Sequence, residues 1–373
     1  MSSYKFILSG GGTGGHIYPA IAIAQGLEQA YPNASFLFVG AKGKMEMEKV
    51  PQAGYAIKGL WISGLSRKIS LDLLIFPFKL IWSLWQSLFF LMRFRPDLVI
   101  GTGGYASAPL LKMAQWLGFP TLIQEQNSYA GVTNKWLSAR AKAICVAYPN
   151  MAKYFPENSL VYSGNPIRAG IQLELPPKEK GLLEFNLQPE LPVLLVLGGS
   201  LGAKRINAFV ASQLPYFESQ GIQLLWQCGA LYYDQYKDLQ SNTVQLFDFI
   251  TNMPLAYTAA NYVISRAGAG AVSELMLVGK PAFFIPSPNV AEDHQTKNAE
   301  AVVAMGAGEM IREADLENNF KTVFESIIKD LALQSSMREA MQKMAKPEAT
   351  ETIVKTIEKI IEKHPNNPSS TDR

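Results

Sequence analysis

Short apolar runs recur along the chain with longer mixed stretches between them. Residues 4–9, 36–39, 98–100, 121–124 and 143–146 predict strands in the first half; 193–197, 224–227, 263–265 and 282–285 predict strands in the second. These runs are mostly apolar rather than alternating, which suits parallel strands covered on both faces by helices. The expected fold is α/β, built from βαβ units. Ser163-Gly164-Asn165-Pro166 punctuates the chain between the halves and is the expected junction. Residues 348–363 predict a last amphipathic helix, and 364–373 a polar disordered tail.

One segment, residues 71–92, breaks this rhythm because it is the most apolar part of the chain. Thirteen residues separate Lys79 from Arg93. As a helix they would reach about 20 Å, against about 30 Å for a hydrocarbon core, so the segment is not expected to cross a bilayer. At helical spacing Ile75, Phe78, Trp82, Trp85 and Phe89 form an aromatic stripe. Leu74, Ile81, Leu84, Leu88 and Leu91 form an aliphatic one about 100° away. One stripe packing on the domain while the other stays exposed, between Arg67, Lys68, Arg93 and Arg95, predicts attachment to a membrane surface through Ile75, Phe78, Trp82 and Trp85. The alternative is a helix buried all round. Pro77 is expected in the helix's first turn.

With 373 residues the chain suits two domains better than one. Its two cysteines, Cys145 and Cys228, fall in different halves, which argues against a disulfide framework and for a reducing compartment. The first apolar run reads as a strand rather than a signal peptide, so a cytosolic protein is expected. Charge is uneven. Residues 1–163 carry 15 Lys and Arg against 7 Asp and Glu, and residues 164–373 carry 19 against 24, or +8 beside −5. A basic half is expected to meet an anionic surface. Its cations are scattered and no nucleic-acid motif is present, so nucleic acid is not the expected partner.

Glycine clusters follow three of the predicted strands: Gly10-Gly11-Gly12-Thr13-Gly14-Gly15-His16, Gly101-Thr102-Gly103-Gly104-Tyr105, and Gly198-Gly199-Ser200-Leu201-Gly202. A glycine loop between a buried strand and a helix turns backbone N–H groups outward at a helix N-terminus and can hold an anion. Without ligand, the same clusters would be tight turns. The first formally matches G-x-G-x-x-G, but no acidic residue ends the second strand, which runs into Gly40-Ala41-Lys42, so the dinucleotide reading loses its ribose contact. The third continues into Ala203-Lys204-Arg205 and is not a Walker loop. No two aspartates stand one residue apart, as a metal-dependent glycosyltransferase would usually have them. No metal or cofactor is therefore expected. Two loops in the basic half suit an acceptor that bears a diphosphate, contacted at Gly103, Gly104 and Tyr105.

Gly11-Gly12-Thr13-Gly14-Gly15-His16, Gly103-Gly104-Tyr105, Glu125-Gln126-Asn127, Thr133-Asn134-Lys135, Gly164-Asn165-Pro166 with Arg168, Gly198-Gly199-Ser200, Arg266-Ala267-Gly268-Ala269, Ser273-Glu274 and Asp293-His294-Gln295 occur in one order. In that order the chain resembles the MurG family of bacterial N-acetylglucosaminyltransferases, from about residue 4 to 360. The resemblance implies a GT-B fold, two Rossmann-like domains with a central cleft and a last helix returning to the first domain. It assigns 1–163 with 347–363 to acceptor and membrane, and 164–346 to the UDP-GlcNAc donor. It implies inverting, metal-independent transfer of GlcNAc to the C4 hydroxyl of undecaprenyl-diphospho-MurNAc-pentapeptide, lipid I becoming lipid II. This would serve peptidoglycan synthesis, and with it cell shape and division, at the cytoplasmic face of the inner membrane and beside other cell-wall synthesis proteins.

It also implies roles. Arg168 and Ser200 would contact the donor diphosphate, and Ile250 the uracil through its backbone. The helix opening through Ala269, Gly270, Ala271, Val272 and Ser273 would face the phosphates. Glu274 would take both ribose hydroxyls, Gln295 and Asn127 the donor sugar, and Thr13, Gly14 and Gly15 would line the opposite side. Ala271 stands where the family usually has threonine, and Gln124 where it often has histidine. For the base that takes the acceptor proton, His16 and Glu125 are the candidates. A histidine that only closes its loop would look the same. A UDP-GlcNAc 2-epimerase and a non-catalytic nucleotide-sugar module at the membrane are the alternative functions.

Overall fold

The computed structural model describes residues 4–64, 71–167, 175–199 and 201–363. The chain divides into two compact units, Met1–Arg168 with Glu348–Arg373, and Ala169–Pro347. The first is built on seven parallel strands: β1 (Lys5–Gly10), β2 (Ser35–Ala41), β3 (Ile57–Leu60), β4 (Leu98–Gly103), β5 (Thr121–Glu125), β6 (Ala143–Val146) and β7 (Leu160–Tyr162). Their order is β3-β2-β1-β4-β5-β6-β7. After β1 the chain builds outward to β3, then crosses back to lay β4 against the other side of β1. Strand order therefore reverses between β1 and β4, and such a reversal opens a crevice beyond the strands' carboxyl ends.

Both faces of this sheet are covered, which is why its strands are apolar without alternation. Phe6 and Leu8 pack on the helix Gly14–Ala30 and on the last helix, Ala349–Glu362, through Ile17, Ile353 and Ile357. Ile7 and Val39 point to the opposite face, among Leu91, Leu110, Leu111 and Leu137. The last helix buries Ala349, Ile353, Val354, Ile357 and Ile361 at helical spacing. It lies so close to its partner that a Cβ at Gly26 would stand 2.6 Å from Thr350 Cγ2. Tyr31 donates its hydroxyl to Glu358 at 3.0 Å, closing the contact. The last helix thus belongs to the first unit.

The apolar segment is a single helix, Leu71–Phe94. Leu91 is buried in the core, with Phe76, Leu80, Phe90 and Phe94 packed beside it. Ser83 and Ser87 share this inner face because each hydroxyl donates back to its own helix, to Leu80 O and Ser83 O at 2.7 Å. Phe78, Trp82 and Trp85 lie on the outer face, 68%, 57% and 64% exposed, with Leu74, Ile75, Ile81, Phe89 and Met92. A helix buried all round is thereby excluded. The aliphatic stripe is packed only in part: Leu91 is buried and Leu84 and Leu88 are half-buried, while Leu74 and Ile81 are exposed and Phe76, Leu80, Phe90 and Phe94 supply further contacts. Pro77 lies at the seventh position, inside the helix rather than in its first turn. The span from Leu74 to Phe94 is 21 residues long and apolar enough to cross a membrane by length and composition. Counting from Lys79 understated it, because the helix runs through that lysine. One face is nevertheless committed to the unit's core.

The second unit has six parallel strands: β8 (Val193–Leu197), β9 (Gln223–Gln227), β10 (Val244–Phe247), β11 (Tyr262–Ser265), β12 (Ala282–Phe284) and β13 (Glu309–Met310). Their order is β10-β9-β8-β11-β12-β13, with the reversal between β8 and β11. The core is aromatic: Phe209, Phe217, Phe283, Phe320, Phe324 and Trp226 are all buried. Phe320 stacks on Phe324 at 5.1 Å and meets Phe209 edge-on at 4.9 Å. Such pairs add about 1 kcal/mol each beyond their buried area.

Candidate active site

In the first unit two of the glycine clusters stand on adjacent strands at the reversal, one after β1 and one after β4. The loop after β1 opens the helix Gly14–Ala30, with Thr13 as its N-cap residue. His16 is half-buried on the first turn, and its Nδ1 lies 3.1 Å from Gly11 O and 3.3 Å from Thr13 Oγ1. Thr102 of β4 donates its hydroxyl to His16 O at 2.7 Å, tying the two loops together. Gly104 takes φ +80°, and a Cβ there would collide with Gly11 O at 2.2 Å, so only glycine brings the second loop this close. Its neighbour Gly103 faces the other edge of the imidazole, and the Tyr105 ring lies against Gly12. Burial, with the nearby Glu46 carboxylate, pushes the Tyr105 hydroxyl above its ordinary value. Thr13, Gly14, Gly15, His16, Gly103, Gly104 and Tyr105 are thus brought to one place.

Glu125 ends β5 beside them and is buried. Its carboxylate accepts from Asn127 N at 3.0 Å, Gly131 N at 3.0 Å, Asn134 Nδ2 at 2.9 Å and Asn127 Nδ2 at 3.3 Å. Burial pushes its pKa above the ordinary carboxylate range, although these donors pull it back. Asn127 and Glu125 therefore form one knot in which the carboxylate organises the loop. The Gln124 side chain, in the histidine's place, is buried: its amide donates to Asn165 Oδ1 at 2.9 Å, and its own Oε1 accepts from Gln126. Asn165 Nδ2 donates in turn to Gln126 O at 3.0 Å. The Gly164-Asn165-Pro166 segment is held in this way to the ends of the first sheet.

Glu46 was not legible as a site residue in the sequence. Within Glu46-Met47-Glu48-Lys49 it reads as one charge of a solvated helix, yet it is fully buried beneath the first loop. It accepts the N–H of Gly12 at 3.1 Å and of Ala41 at 2.9 Å. The N–H of Gly12 is thus committed within the protein.

In the second unit the loops after β8 and β11 occupy the equivalent reversal. A cavity of about 540 Å³ lies there, lined by Gly198, Gly202, Lys204, Arg205, Arg266 and Gln295 among others. Lys204 and Arg205 open the helix Lys204–Ser219, so its N-terminal dipole and two cations share this edge. Arg266 is fixed by Ile285 O at 2.9 Å and by Glu313 at 2.5 Å. Gln295 accepts the N–H of Ser287 at 2.8 Å. The helix Ala269–Val278 begins after Gly268, with Gly270 exposed and Ala271 and Ser273 half-exposed. Val272 contributes no donor to that opening: its N–H closes on Gly268 O at 2.9 Å and its side chain is buried. Glu274 accepts the Tyr257 hydroxyl at 2.8 Å, which orients the carboxylate.

The Ile250 N–H donates to Gln227 Oε1 at 2.8 Å. Gln227 also donates to Gly199 O at 3.1 Å and so couples the glycine loop to Ile250. The sequence signal for Gln227 is a polar residue closing the apolar run 224–226. Arg168 and Ser200 lie outside the described residues, as do Arg67, Lys68 and the tail.

Two glycosyltransferase models match the chain: the family 28 N-terminal domain over residues 6–146 and the family 28 C-terminal domain over 193–359. A Flavobacterium psychrophilum protein is 54% identical over 87% of this chain and 89% of its own length. One from Christiangramia forsetii is 55% identical over 86% and 88%. Both are called UDP-N-acetylglucosamine--N-acetylmuramyl-(pentapeptide) pyrophosphoryl-undecaprenol N-acetylglucosamine transferase. The crystal structure of Acinetobacter baumannii MurG superposes with a TM-score of 0.77 at 28% identity, covering 96% of this chain and all of that one. The fold and its paired loops define a glycosyltransferase of family 28. Within it, the chain belongs to the MurG family of N-acetylglucosamine transferases. It is a hexosyltransferase; neither the epimerase nor the non-catalytic reading has support.

Proposed function

We propose that this chain transfers GlcNAc from UDP-GlcNAc to the C4 hydroxyl of undecaprenyl-diphospho-MurNAc-pentapeptide, making lipid II for peptidoglycan. The kinship with named transferases carries the substrates, and the His16 corner supports the chemistry. In the reaction the acceptor oxygen attacks C1 of GlcNAc from the face opposite UDP, inverting that centre. The C1–O bond to the diphosphate breaks, its electron pair leaves with UDP, and the C4 hydroxyl proton passes to His16 Nε2. A carboxylate held by four donors, as Glu125 is, is better suited to shaping the loop around Asn127 than to taking a proton.

The expected donor domain, 164–346, corresponds to the second unit, Ala169–Pro347, and we assign the donor to it, the junction 164–166 being held to the first sheet. Lys204 and the glycine-loop N–H groups suit the diphosphate, together with Arg168 and Ser200; Glu274 suits the ribose diol, and Gln295 the sugar. No metal is invoked: cations, loop amides and helix dipoles meet the charge of the departing diphosphate. We assign acceptor and membrane to residues 1–163 and 347–363. The exposed Phe78, Trp82 and Trp85, with Ile75, give that unit an apolar face for the inner membrane's cytoplasmic surface. Work on cell shape and division beside other cell-wall synthesis proteins would follow from that product.

The test is transfer itself. Radiolabelled UDP-GlcNAc is incubated with the chain, EDTA and a lipid-linked MurNAc-pentapeptide diphosphate. Label is expected in the lipid fraction. Label that stays in nucleotide sugar, or that moves only when a divalent metal is restored, would overturn the substrate assignment or the metal-free mechanism respectively.

A further inference from the structure

We infer that Glu46 is a positioning residue that sets the protonation of His16 through one peptide group, that joining Gly11 to Gly12. The inference deepens the reading of His16 as base and rests on it. The N–H of this peptide donates to Glu46 Oε2 at 3.1 Å, and its C=O stands 3.1 Å from His16 Nδ1. A carbonyl oxygen can only accept, so this contact puts the imidazole proton on Nδ1 and the lone pair on Nε2. The Thr13 hydroxyl, 3.3 Å from Nδ1, fits the same arrangement as a second acceptor.

A carboxylate on the N–H side of a peptide polarises it, placing more negative charge on the carbonyl oxygen and strengthening the bond at the far end. The series Glu46, peptide, imidazole does what a carboxylate bonded directly to histidine does elsewhere: it orients the ring, selects the tautomer and stabilises the imidazolium formed on proton transfer. Burial makes the effect larger than it would be in water. It also gives the buried carboxylate a function beyond holding the loop.

Other titratable groups face this corner. Tyr105 packs on Gly12, and Tyr18 of His16's own helix lies against Gly14. Glu125 is linked through Asn134, whose amide borders Gly103. Glu48 and Lys49, on the Glu46 helix, pair with each other at the surface. The last helix meets the His16 helix at Gly26 and Tyr31, where Glu358 accepts the Tyr31 hydroxyl, and its Glu351 and Lys355 pair together. Glu46 alone among these shares a peptide group with the His16 contact.

The chain has three histidines, His16, His294 and His364, so ¹⁵N-histidine labelling resolves each, with His16→Ala giving the assignment. Neutral His16 is expected as the Nδ1–H tautomer. In Glu46→Gln its pKa is expected to fall by about one unit, since a nearby negative charge favours the imidazolium. The acid limb of kcat/KM should move down equally, with the KM for UDP-GlcNAc unchanged. In a His16→Ala background, Glu46→Gln should alter kcat by less than about twofold. A neutral Nε2–H tautomer in the unmodified chain overturns the inference, and that reading does not depend on how the variant folds. So does a His16 pKa that moves by less than about 0.2 units in folded Glu46→Gln. Failure of the base reading looks different: His16→Ala would keep kcat within about tenfold while the resonance of His16 still responded to Glu46.

Discussion

The two units place glycine loops at the same topological position, a strand-order reversal, and surround them with opposite chemistry. At β1/β4 the neighbours are the buried carboxylates Glu46 and Glu125, an amide network and one imidazole. At β8/β11 they are Lys204, Arg205 and Arg266 around a cavity, Arg266 paired with Glu313 of the same lining and Arg205 with Glu317. The overall charges run the other way, +8 for residues 1–163 and −5 for 164–373. Net charge therefore misleads about the site in each half. The first unit's excess cations lie elsewhere, some near exposed aromatics: Lys112 sits over Trp116 and Trp136, 5.6 and 4.6 Å from the ring centres. A shared fold fixes where ligands gather, and local side chains decide whether the place moves protons or holds phosphate.

That division makes the consequences of substitution separable. The largest effect is expected at His16: His16→Ala should lower kcat by about 100- to 10,000-fold with donor KM nearly unchanged, as measured by steady-state transfer. Next is the outer face of the apolar helix. Phe78→Ser with Trp82→Ser and Trp85→Ser should release the chain from anionic vesicles in a sedimentation assay. Insertion of these side chains contributes a few kcal/mol together, so at least about a tenfold loss is expected. Because all three are exposed, the variant should stay folded and bind UDP-GlcNAc normally. A folded triple variant that still sediments would move the membrane face elsewhere.

Glu274→Gln should raise the donor KM by about 10- to 100-fold, the range for a charge-assisted hydrogen bond of about 1 to 3 kcal/mol. The smallest expected effect is at Glu125. Its raised pKa means that the folded chain binds this proton more tightly than the unfolded one does. Its contribution to stability is therefore full below the ordinary carboxylate value and declines as pH rises through the raised one, by at most about 1.4 kcal/mol per pH unit. Glu125→Gln should remove that slope from urea unfolding measured across the acid range. An unchanged slope would mean that the four donors balance burial, and a change of opposite sign that they outweigh it.

Sequence made the inner strands legible and the edges not. β1, β2, β4, β5 and β6, and β8, β9, β11 and β12, are buried on both faces and read as apolar runs. The four missed strands, β3, β7, β10 and β13, are the edges of the two sheets. They hold two to four residues each; β3, β10 and β13 carry the polar members Lys58, Gln245 and Glu309, while β7 is an apolar run of three, Leu160-Val161-Tyr162, overlooked in the sequence. Glycine-led motifs revealed the loops because backbone geometry demands glycine there. The side chains behind the loops, Glu46 and Gln227, were hidden because their work depends on residues distant in sequence, Gly12 and Gly199.

UDP-GlcNAc binding measured by calorimetry without acceptor, on the unmodified chain, His16→Ala and Glu274→Gln, tests the separation of the two sites most directly. His16→Ala is expected to bind the donor within about twofold of the unmodified chain, and Glu274→Gln about 10- to 100-fold more weakly. Weak binding by His16→Ala with normal binding by Glu274→Gln would contradict it.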